Sequence, residues 1–323
     1  MRVFITGGAG FIGRAVIHGL VGRGDSIVAA VRNPARASDL EGSGLRIVKS
    51  DLSAVDEMVD AMRGTDAVVH LAGMYRLGIP ASERAAMWDA NVGATERVLE
   101  AAAAAGVART VVVSTANVFG NTDGRVVDET YRRNLERGFL SYYDETKFRA
   151  FELTRRRVAA GEPIVIAMPG GVYGPGDHST AGLQLQLAFQ GKLRFRALDE
   201  VGIAFVHVDD VADGIIACLD RGTPGEEYGL TGAPVTLRHA IAVAAAAGGR
   251  RSPRLRIPTT LLRASMPLGP LLGRLGGTPP NLGELVRASR GVTYWVSGAK
   301  ATRELGFHAR PLQAGVRDSW GHD

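Results

Sequence analysis

A doubly wound α/β fold, with one parallel sheet covered by helices and a smaller C-terminal lobe, is what this sequence predicts. Three observations carry the prediction. Short Val- and Ile-rich runs alternate with helix-period segments through the first half. A cluster of glycines separates the first strand from the first helix. Beyond about Pro169 the rhythm breaks into shorter segments rich in Gly and Pro. Short apolar strands alternating with helices are those of a parallel sheet buried on both faces.

The strand candidates, in order, are Arg2–Thr6, Ser26–Val31, Leu45–Lys49, Ala67–Leu71, Thr110–Ser114 and Ile164–Met168. Between them the helical stretches are Gly10–Arg23, Val55–Met62, Ala85–Gly106 and Tyr142–Ala160. The run AAAAAG at 101–106 is low-complexity only in appearance, because alanine is the best helix former and Gly106 suits a C-cap. The stretch IAFVHVDDVADGIIACLDRG, 203–222, reads as a further strand and helix returning to the main sheet. The expected division is 1–170, also taking in about 203–222, for the main domain. Residues 171–202 and 223–323 form the smaller, discontinuous lobe.

With 323 residues the chain can bury a large core. An apolar fraction of 46% and a charged fraction of 22% are those of an ordinary soluble globular protein. Cys218 is the only cysteine, so no intrachain disulfide can form. Met1-Arg2 leads straight into the first strand candidate, and no signal peptide is expected. The most apolar stretch, 259–277, is broken by Arg263, Pro267, Pro270 and Arg274, well short of the roughly 20 apolar residues of a membrane span. A cytoplasmic location fits. The net charge is +5, yet only four of the 38 basic residues are lysines and the arginines are dispersed. Nucleic-acid binding is not expected, since its footprint clusters on one face. The densest run, Arg155 to Arg157, falls in a predicted helix and reads as a solvated face. The histidines show no metal-ligand spacing, and no metal site is expected.

The segment FITGGAGFIGRAV, 4–16, places several backbone N–H groups at a helix N-terminus behind a strand. That arrangement binds phosphate through unpaired donors and the helix dipole. Gly8-x-Gly10-x-x-Gly13 matches the dinucleotide pattern, and Gly7-x-x-Gly10-x-x-Gly13 matches a variant of it. The predicted sheet is therefore Rossmann-type. At the end of the second strand an acid would bind the ribose of NAD, whereas an arginine suits the 2′-phosphate of NADP. Here the sequence is IVAAVRNPAR: Val31 stands where the carboxylate would be, Arg32 follows and Arg36 is within reach, while Asp25 comes too early. NADP is expected, with NAD possible if Arg32 only stacks on adenine.

In YYDETK, 142–147, Tyr143 and Lys147 are four apart and share a helix face. A phenol ordinarily ionises near pH 10. A neighbouring ammonium and a cationic nicotinamide would lower that value and suit Tyr143 to acid–base work. Upstream, TVVVSTANVFG ends a strand at Ser114-Thr115, whose hydroxyls would sit at the carboxyl edge of the sheet.

With these motifs in view, the chain resembles the extended short-chain dehydrogenase/reductase superfamily, the NAD(P)-dependent epimerase/dehydratase group. The resemblance covers nearly the whole length: TGGAGFIG, SDL at 50–52, HLAG at 70–73, NVGATERVLEAA, VSTANVFG, Tyr143/Lys147, PGGVYGPGD, HVDDVADG and SGAKATRELGF. VRNP and LAGMYRLGIP look most like the dihydroflavonol reductase and hydroxysteroid dehydrogenase branch, with hopanoid-associated sugar epimerase-like proteins also similar. The resemblance implies that Thr115, Tyr143 and Lys147 are catalytic. It further implies that Gly7, Gly10, Phe11, Ile12 and Gly13 bind the cofactor, with Arg32 expected at its 2′-phosphate. Asp51 and Leu52 would flank adenine, and Leu71, Ala72 and Gly73 would line the cofactor's middle. Asn91 would lie near the phosphates, while Pro169, Gly170 and Val172 would meet the carboxamide. Met74, Tyr75 and Asn117 could face substrate. His70 and His207 read as structural. Two departures stand out. Met168 replaces an arginine common before the Pro-Gly pair, and Ala116-Asn117 stand where nucleotide-sugar dehydratases carry two acids, which disfavours dehydration.

The expected activity is an NADP-dependent carbonyl reductase or alcohol dehydrogenase acting on a largely apolar small molecule, in a homodimer. Met74, Tyr75, Leu77 and Ile79 would line its pocket and 261–275 would add an apolar lid. The alternative is a nucleotide-sugar epimerase, for which Arg194, Arg196, Arg254 and Arg256 could hold a diphosphate. The intact Thr115/Tyr143/Lys147 set argues against a non-catalytic NADP sensor.

Overall fold

Seven strands run parallel in the main sheet. The computed structural model describes residues 1–37, 40, 44–258 and 281–321, apart from the side chains of Arg36 and Leu282. The strands are β1 (Arg2–Thr6), β2 (Ser26–Val31), β3 (Leu45–Lys49), β4 (Ala67–His70), β5 (Arg109–Val113), β6 (Ile164–Pro169) and, later in the chain, β9 (Glu227–Leu230), in spatial order 3-2-1-4-5-6-9. Every residue of β4 and β6 is buried, as the unbroken apolar runs require. Helices α1 (Phe11–Gly22) and α7 (Val208–Arg221) cover one face, where Val16, Ile17, Leu20, Val211, Ile215 and Leu219 pack on Val3, Ile5, Val69, Val111 and Val165. On the other face lie α2 (Val55–Met62), α4 (Ala94–Ala104) and α5 (Tyr142–Ala159).

The helix expected over 85–106 is split. It comprises α3 (Arg84–Trp88), a π-helical turn (Asp89–Gly93) and α4. The wide turn accommodates Asn91, which is buried and makes three side-chain hydrogen bonds to Met74 and Thr146. At about 1 kcal/mol each, these outweigh the helical regularity lost there.

A second, four-stranded sheet holds β7 (Gly171–Tyr173), β8 (Gly202–His207), β10 (Pro234–Thr236) and β11 (Thr293–Tyr294). It packs with α6 (Thr180–Phe189), α8 (Leu237–Ala247) and the helix Leu312–Trp320 around a separate core that includes Leu185, Phe205, Ile241 and Val316. Here the sequence reading is corrected. Residues 203–222 do not return to the main sheet as one unit, since β8 pairs only within the second sheet. α7 packs on the main sheet, and the strand that joins it is β9, beside β6. β8 and β9 are both short and apolar, and only long-range pairing tells them apart. Nor is Arg155–Arg157 a purely solvated face: Arg155 pairs with Glu152 and Glu227, and Arg157 with Glu162.

Among the described residues no helix is long and apolar enough to cross a membrane. The expected lid, 261–275, lies outside the described residues.

Candidate active site

The carboxyl ends of β1, β2, β4, β5 and β6 share one edge, and the strand order reverses between β1 and β4. Open α/β sheets bind ligands in the crevice at that point. Gly7 turns the chain there with φ +72°, and a Cβ on it would lie 2.6 Å from Ala72 N and 2.8 Å from Leu71 C. A Cβ on Gly13 would lie 2.2 Å from Gly7 O, so α1 begins in direct contact with the turn. Gly10 N–H donates to Gly7 O at 2.9 Å, and the first helical bond runs from Arg14 N to Gly10 O at 3.0 Å. No side chain caps α1, Gly10 is exposed, and Phe11 and Ile12 are half-buried. First-turn amides with no intrahelical acceptor, at the positive end of a helix dipole, fit the diphosphate of a dinucleotide.

At the far end of this edge Arg32 is exposed just beyond β2 and makes no ion pair with the described residues. Asp25 sits at the opposite end of β2, bound to the Met1 amino group at 2.7 Å and to Arg23. Leu52 is buried yet has φ +66°. Backbone strain of this kind gathers at ligand sites. Its carbonyl accepts from Arg97 Nε at 2.6 Å, and its N–H donates to Ser50 Oγ at 3.1 Å. Asp51 accepts from the Ser53 hydroxyl and N–H at 2.5 and 2.9 Å, bonds that hold its carboxyl below the usual range.

The Tyr143/Lys147 pair sits at the start of α5. Ser141 caps this helix by accepting from Asp144 N–H at 3.0 Å. Tyr143, one turn from Lys147, is buried against Ile79 and Met87, with Met74 and Leu77 packed alongside. The Tyr75 ring stands edge-on to it, centroids 4.8 Å apart. Thr115 Oγ1 accepts from Asn117 N–H at 3.3 Å, capping a short turn, and its side chain lies close enough to Tyr143 to influence the phenol. Lys147 Nζ donates to Val113 O at 3.3 Å, and a Cβ on Gly73 would lie 4.0 Å from it. Just past the end of β5, Ser114 Oγ is buried and has no hydrogen-bond partner among the described residues. A buried hydroxyl without a partner at a sheet edge is suited to an incoming polar group.

In the protein alone, burial pushes the Tyr143 phenol up, Tyr75 and Asp144 add to this, and only the Thr115 side chain opposes it. Burial also lowers Lys147 to about 8. The expected lowering of the tyrosine by its lysine is therefore not found in these side chains by themselves, where desolvation is the largest influence on the phenol.

The family model described as the NAD-dependent epimerase/dehydratase family matches residues 3–230. This chain belongs to that family. It is 34% identical to the 4-hydroxy-2-methyl-3-oxo-4-farnesyl-3,4-dihydroquinoline-1-oxide ketoreductase of Stigmatella aurantiaca, over 96% of this chain and 92% of that protein. A 2-alkyl-3-oxoalkanoate reductase of Stenotrophomonas maltophilia is 27% identical over 95% of this chain and 94% of its own length. Among solved structures, gox2253 superposes with a TM-score of 0.82 at 28% identity, covering 98% of this chain and 96% of that one. MoeE5 in complex with UDP-glucuronic acid and NAD gives 0.76 at 25% identity, covering 99% and 97%. The protein is thus an NAD(P)-dependent oxidoreductase of the extended short-chain dehydrogenase/reductase type.

Several of the expected residues are held by contacts within the protein. Asn91 is diverted: its oxygen accepts from Met74 N–H at 2.7 Å, and its amide donates to Met74 O and Thr146 Oγ1 at 3.1 and 2.9 Å. Both hydrogens of its amide are thus used within the protein, and a Cβ on Gly73 would lie 3.1 Å from its oxygen. Gly170 touches the second sheet, where a Cβ would lie 2.2 Å from Ala204 O, and Val172 pairs with Val206. Pro169 ends β6, and Met168 is buried between β6 and α5, which explains the apolar residue there. Asn117 is half-buried in the turn after Thr115. His70 lies between Thr6 Oγ1 and Thr95 Oγ1 at 2.7 and 3.0 Å, and burial lowers it to about 3. His207 caps α7 and meets Ser319 Oγ at 3.1 Å. Both histidines are structural.

Sequence reasoning missed Glu284. From the helix Leu282–Ser289 its buried carboxylate accepts from Tyr142 N–H at 3.0 Å and Gly78 N–H at 3.4 Å, joining the start of α5 to the pocket wall. No local pattern marks a contact across more than a hundred residues.

Proposed function

We propose that this protein is an NADP-dependent carbonyl reductase or alcohol dehydrogenase acting on a largely apolar small molecule, with Tyr143 as general acid/base. The observation that carries it is Tyr143, buried in an apolar wall, with the Thr115 side chain near it and one turn from Lys147 at the carboxyl edge of the sheet. When bound, the nicotinamide supplies or accepts the hydride. The Tyr143 hydroxyl gives its proton to the carbonyl oxygen or takes it from the alcohol. Thr115 orients that oxygen, and Lys147 holds the ribose side of the pocket and restrains the phenol. The glycine turn with Phe11 and Ile12 holds the diphosphate, Arg32 the 2′-phosphate, Asp51 and Leu52 the adenine, and Leu71 to Gly73 the middle of the cofactor. Pro169, Gly170 and Val172 border the carboxamide, while Met74, Tyr75 and Asn117 border substrate. NAD is the alternative cofactor, served if Arg32 only stacks on adenine.

An apolar substrate is supported by Met74 and Leu77 beside Tyr143 and by the farnesylated ring in the name of the Stigmatella ketoreductase. It is supported too by the fate of two arginines that could have held a diphosphate. Arg196 and Arg256 converge on buried Asp199 at 3.1 and 3.3 Å, and Arg256 also pairs with Glu200 at 2.5 Å. The second reading, a nucleotide-sugar epimerase, draws on the MoeE5 complex and on Arg194 and Arg254, which are exposed. A homodimer through α3–α4 and α5 belongs to the leading reading, supported by Trp88, 40% exposed on α3. The deciding assay follows NADPH oxidation with aromatic, steroidal and aliphatic ketones beside epimerisation of UDP- and dTDP-sugars. Ketone reduction with net NADPH consumption is expected. Epimerisation without it, and no ketone reduction, would overturn the reading.

A further inference from the structure

A loop far from any dinucleotide motif reaches the proton-transfer pair through one buried ion pair. Arg133 forks onto Asp144, Nη1 to Oδ1 at 2.7 Å and Nη2 to Oδ2 at 3.0 Å, with side chains only 6% and 3% exposed. The same guanidinium donates to Val118 O at 3.3 Å, in the turn that Thr115 caps, and to Gly138 O at 3.2 Å. Its planar group lies over Phe139 and Phe148, 4.8 and 5.1 Å from their centroids. It also packs on Gly120, where a Cβ would come within 3.0 Å of it. Asp144 adjoins Tyr143 in the first turn of α5 and accepts from Leu140 N–H at 2.9 Å. Thr115 and Tyr143 are nearly thirty residues apart, and Arg133 bonds close to each, to Val118 O in the turn after Thr115 and to Asp144 beside Tyr143.

We propose that the Arg133–Asp144 pair is a positioning device for the proton-transfer site: it sets the Thr115–Tyr143 geometry and neutralises the carboxylate next to the phenol. The proposal rests on the reading of Tyr143 as acid/base. A buried pair adds little net stability, and geometric definition is its better-attested use. A lysine could not replace the fork, because a point charge cannot bond two carboxylate oxygens and two carbonyls in one plane. Charge matters as well as shape. The ionisable groups around Tyr143 are Lys147 and Asp144 on its own helix and Tyr75 from the loop after β4, with Arg133 behind Asp144. Tyr294 of β11 lies in the field of the same cluster, and Glu284 meets the backbone at Tyr142. Asp144 opposes phenolate formation, and Arg133 is the cation that offsets it.

The test uses Arg133→Lys, Arg133→Met and Asp144→Asn in the full chain. Arg133→Lys is expected to lower kcat about tenfold with KM and NADPH affinity within about twofold, and to leave the pH at which the Tyr143 limb of kcat falls unchanged. Arg133→Met should move that limb to higher pH, and Asp144→Asn should move it to lower pH. Opposite shifts from the two ends of one pair are not produced by loosening alone. Equal losses of kcat and NADPH affinity, or shifts of one sign in both variants, would overturn the proposal. If Arg133→Met does not fold, the lysine and asparagine variants still decide it, by the unchanged and the lowered limb respectively. If the wild-type protein reduces no ketone, the functional reading fails, and hydrogen exchange decides the clamp separately. Arg133→Lys must then expose amides in 116–120 and 138–147 together while leaving 7–17 protected, and unchanged exchange overturns the clamp.

Discussion

The two sides of the sheet edge are built from different materials. The cofactor side is backbone: a left-handed Gly7, a Gly13 with no room for a Cβ, an uncapped α1, and Leu52 at φ +66°. The side proposed for proton transfer is side chains from separate segments: Thr115 after β5, Tyr143 and Lys147 on α5, Tyr75 after β4, Arg133 from a long loop and Glu284 from the C-terminal lobe. A backbone site depends on a few consecutive residues and tolerates change elsewhere. A side-chain site depends on every element that aims it, so it can be disabled from a distance.

The largest expected effect separates the two sides outright. Tyr143→Phe should cut turnover about 10²–10⁴-fold, the usual contribution of a positioned acid–base group, and leave NADPH affinity nearly intact. More than a few per cent of residual turnover would remove Tyr143 from the proton-transfer role. The converse break is Gly13→Val. Its Cβ would sit 2.2 Å from Gly7 O, and the turn must open to admit it. Overpacking of about 3 kcal/mol corresponds to a loss of about 10²-fold in NADPH affinity, read by fluorescence titration. Retained affinity would mean that the turn does not hold the diphosphate.

A pH experiment sharpens the contrast, because His70 lies beneath both sides. Folded His70 takes its proton only at about pH 3, through burial, whereas the unfolded chain takes one near 6.5. Between those values unfolding takes up a proton, so this contribution to stability is whole above pH 6.5 and is lost as pH falls toward 3. By pH 5 the loss is about 2 kcal/mol, and His70→Gln should flatten the slope in denaturant titrations at pH 5 and 7. An unchanged slope would show that the histidine is not held neutral. The smallest effect belongs to the exposed rim. Arg32→Ala should weaken NADPH binding about tenfold and NADH binding hardly at all, as the loss of one charge-assisted hydrogen bond worth about 1.5 kcal/mol predicts. Equal losses with the two cofactors would remove the 2′-phosphate contact.

The fold was legible in particular stretches. Residues 164–168 read as a buried strand, and 10–23 as a helix directly behind a tight turn. The motif positions of Tyr143 and Lys147 were equally plain from YYDETK. Less legible was what each motif residue does. Asn91 carries the expected identity, yet the π turn aims its amide at Met74 and Thr146. The segment 203–222 carries a good strand and helix, but pairing across the chain gave the strand to one sheet and the helix to the other.

By itself the sequence determined the alternation of strand and helix, the glycine turn behind β1 and the Tyr143/Lys147 pair, because each follows from steric and periodic rules acting within a few residues. Only the tertiary structure decided that β9 closes the main sheet, that Arg196 and Arg256 converge on Asp199, and that burial raises Tyr143 while Arg133 locks the carboxylate beside it. Those outcomes turn on desolvation and on charges brought together from distant segments, and neither quantity exists until the chain has folded.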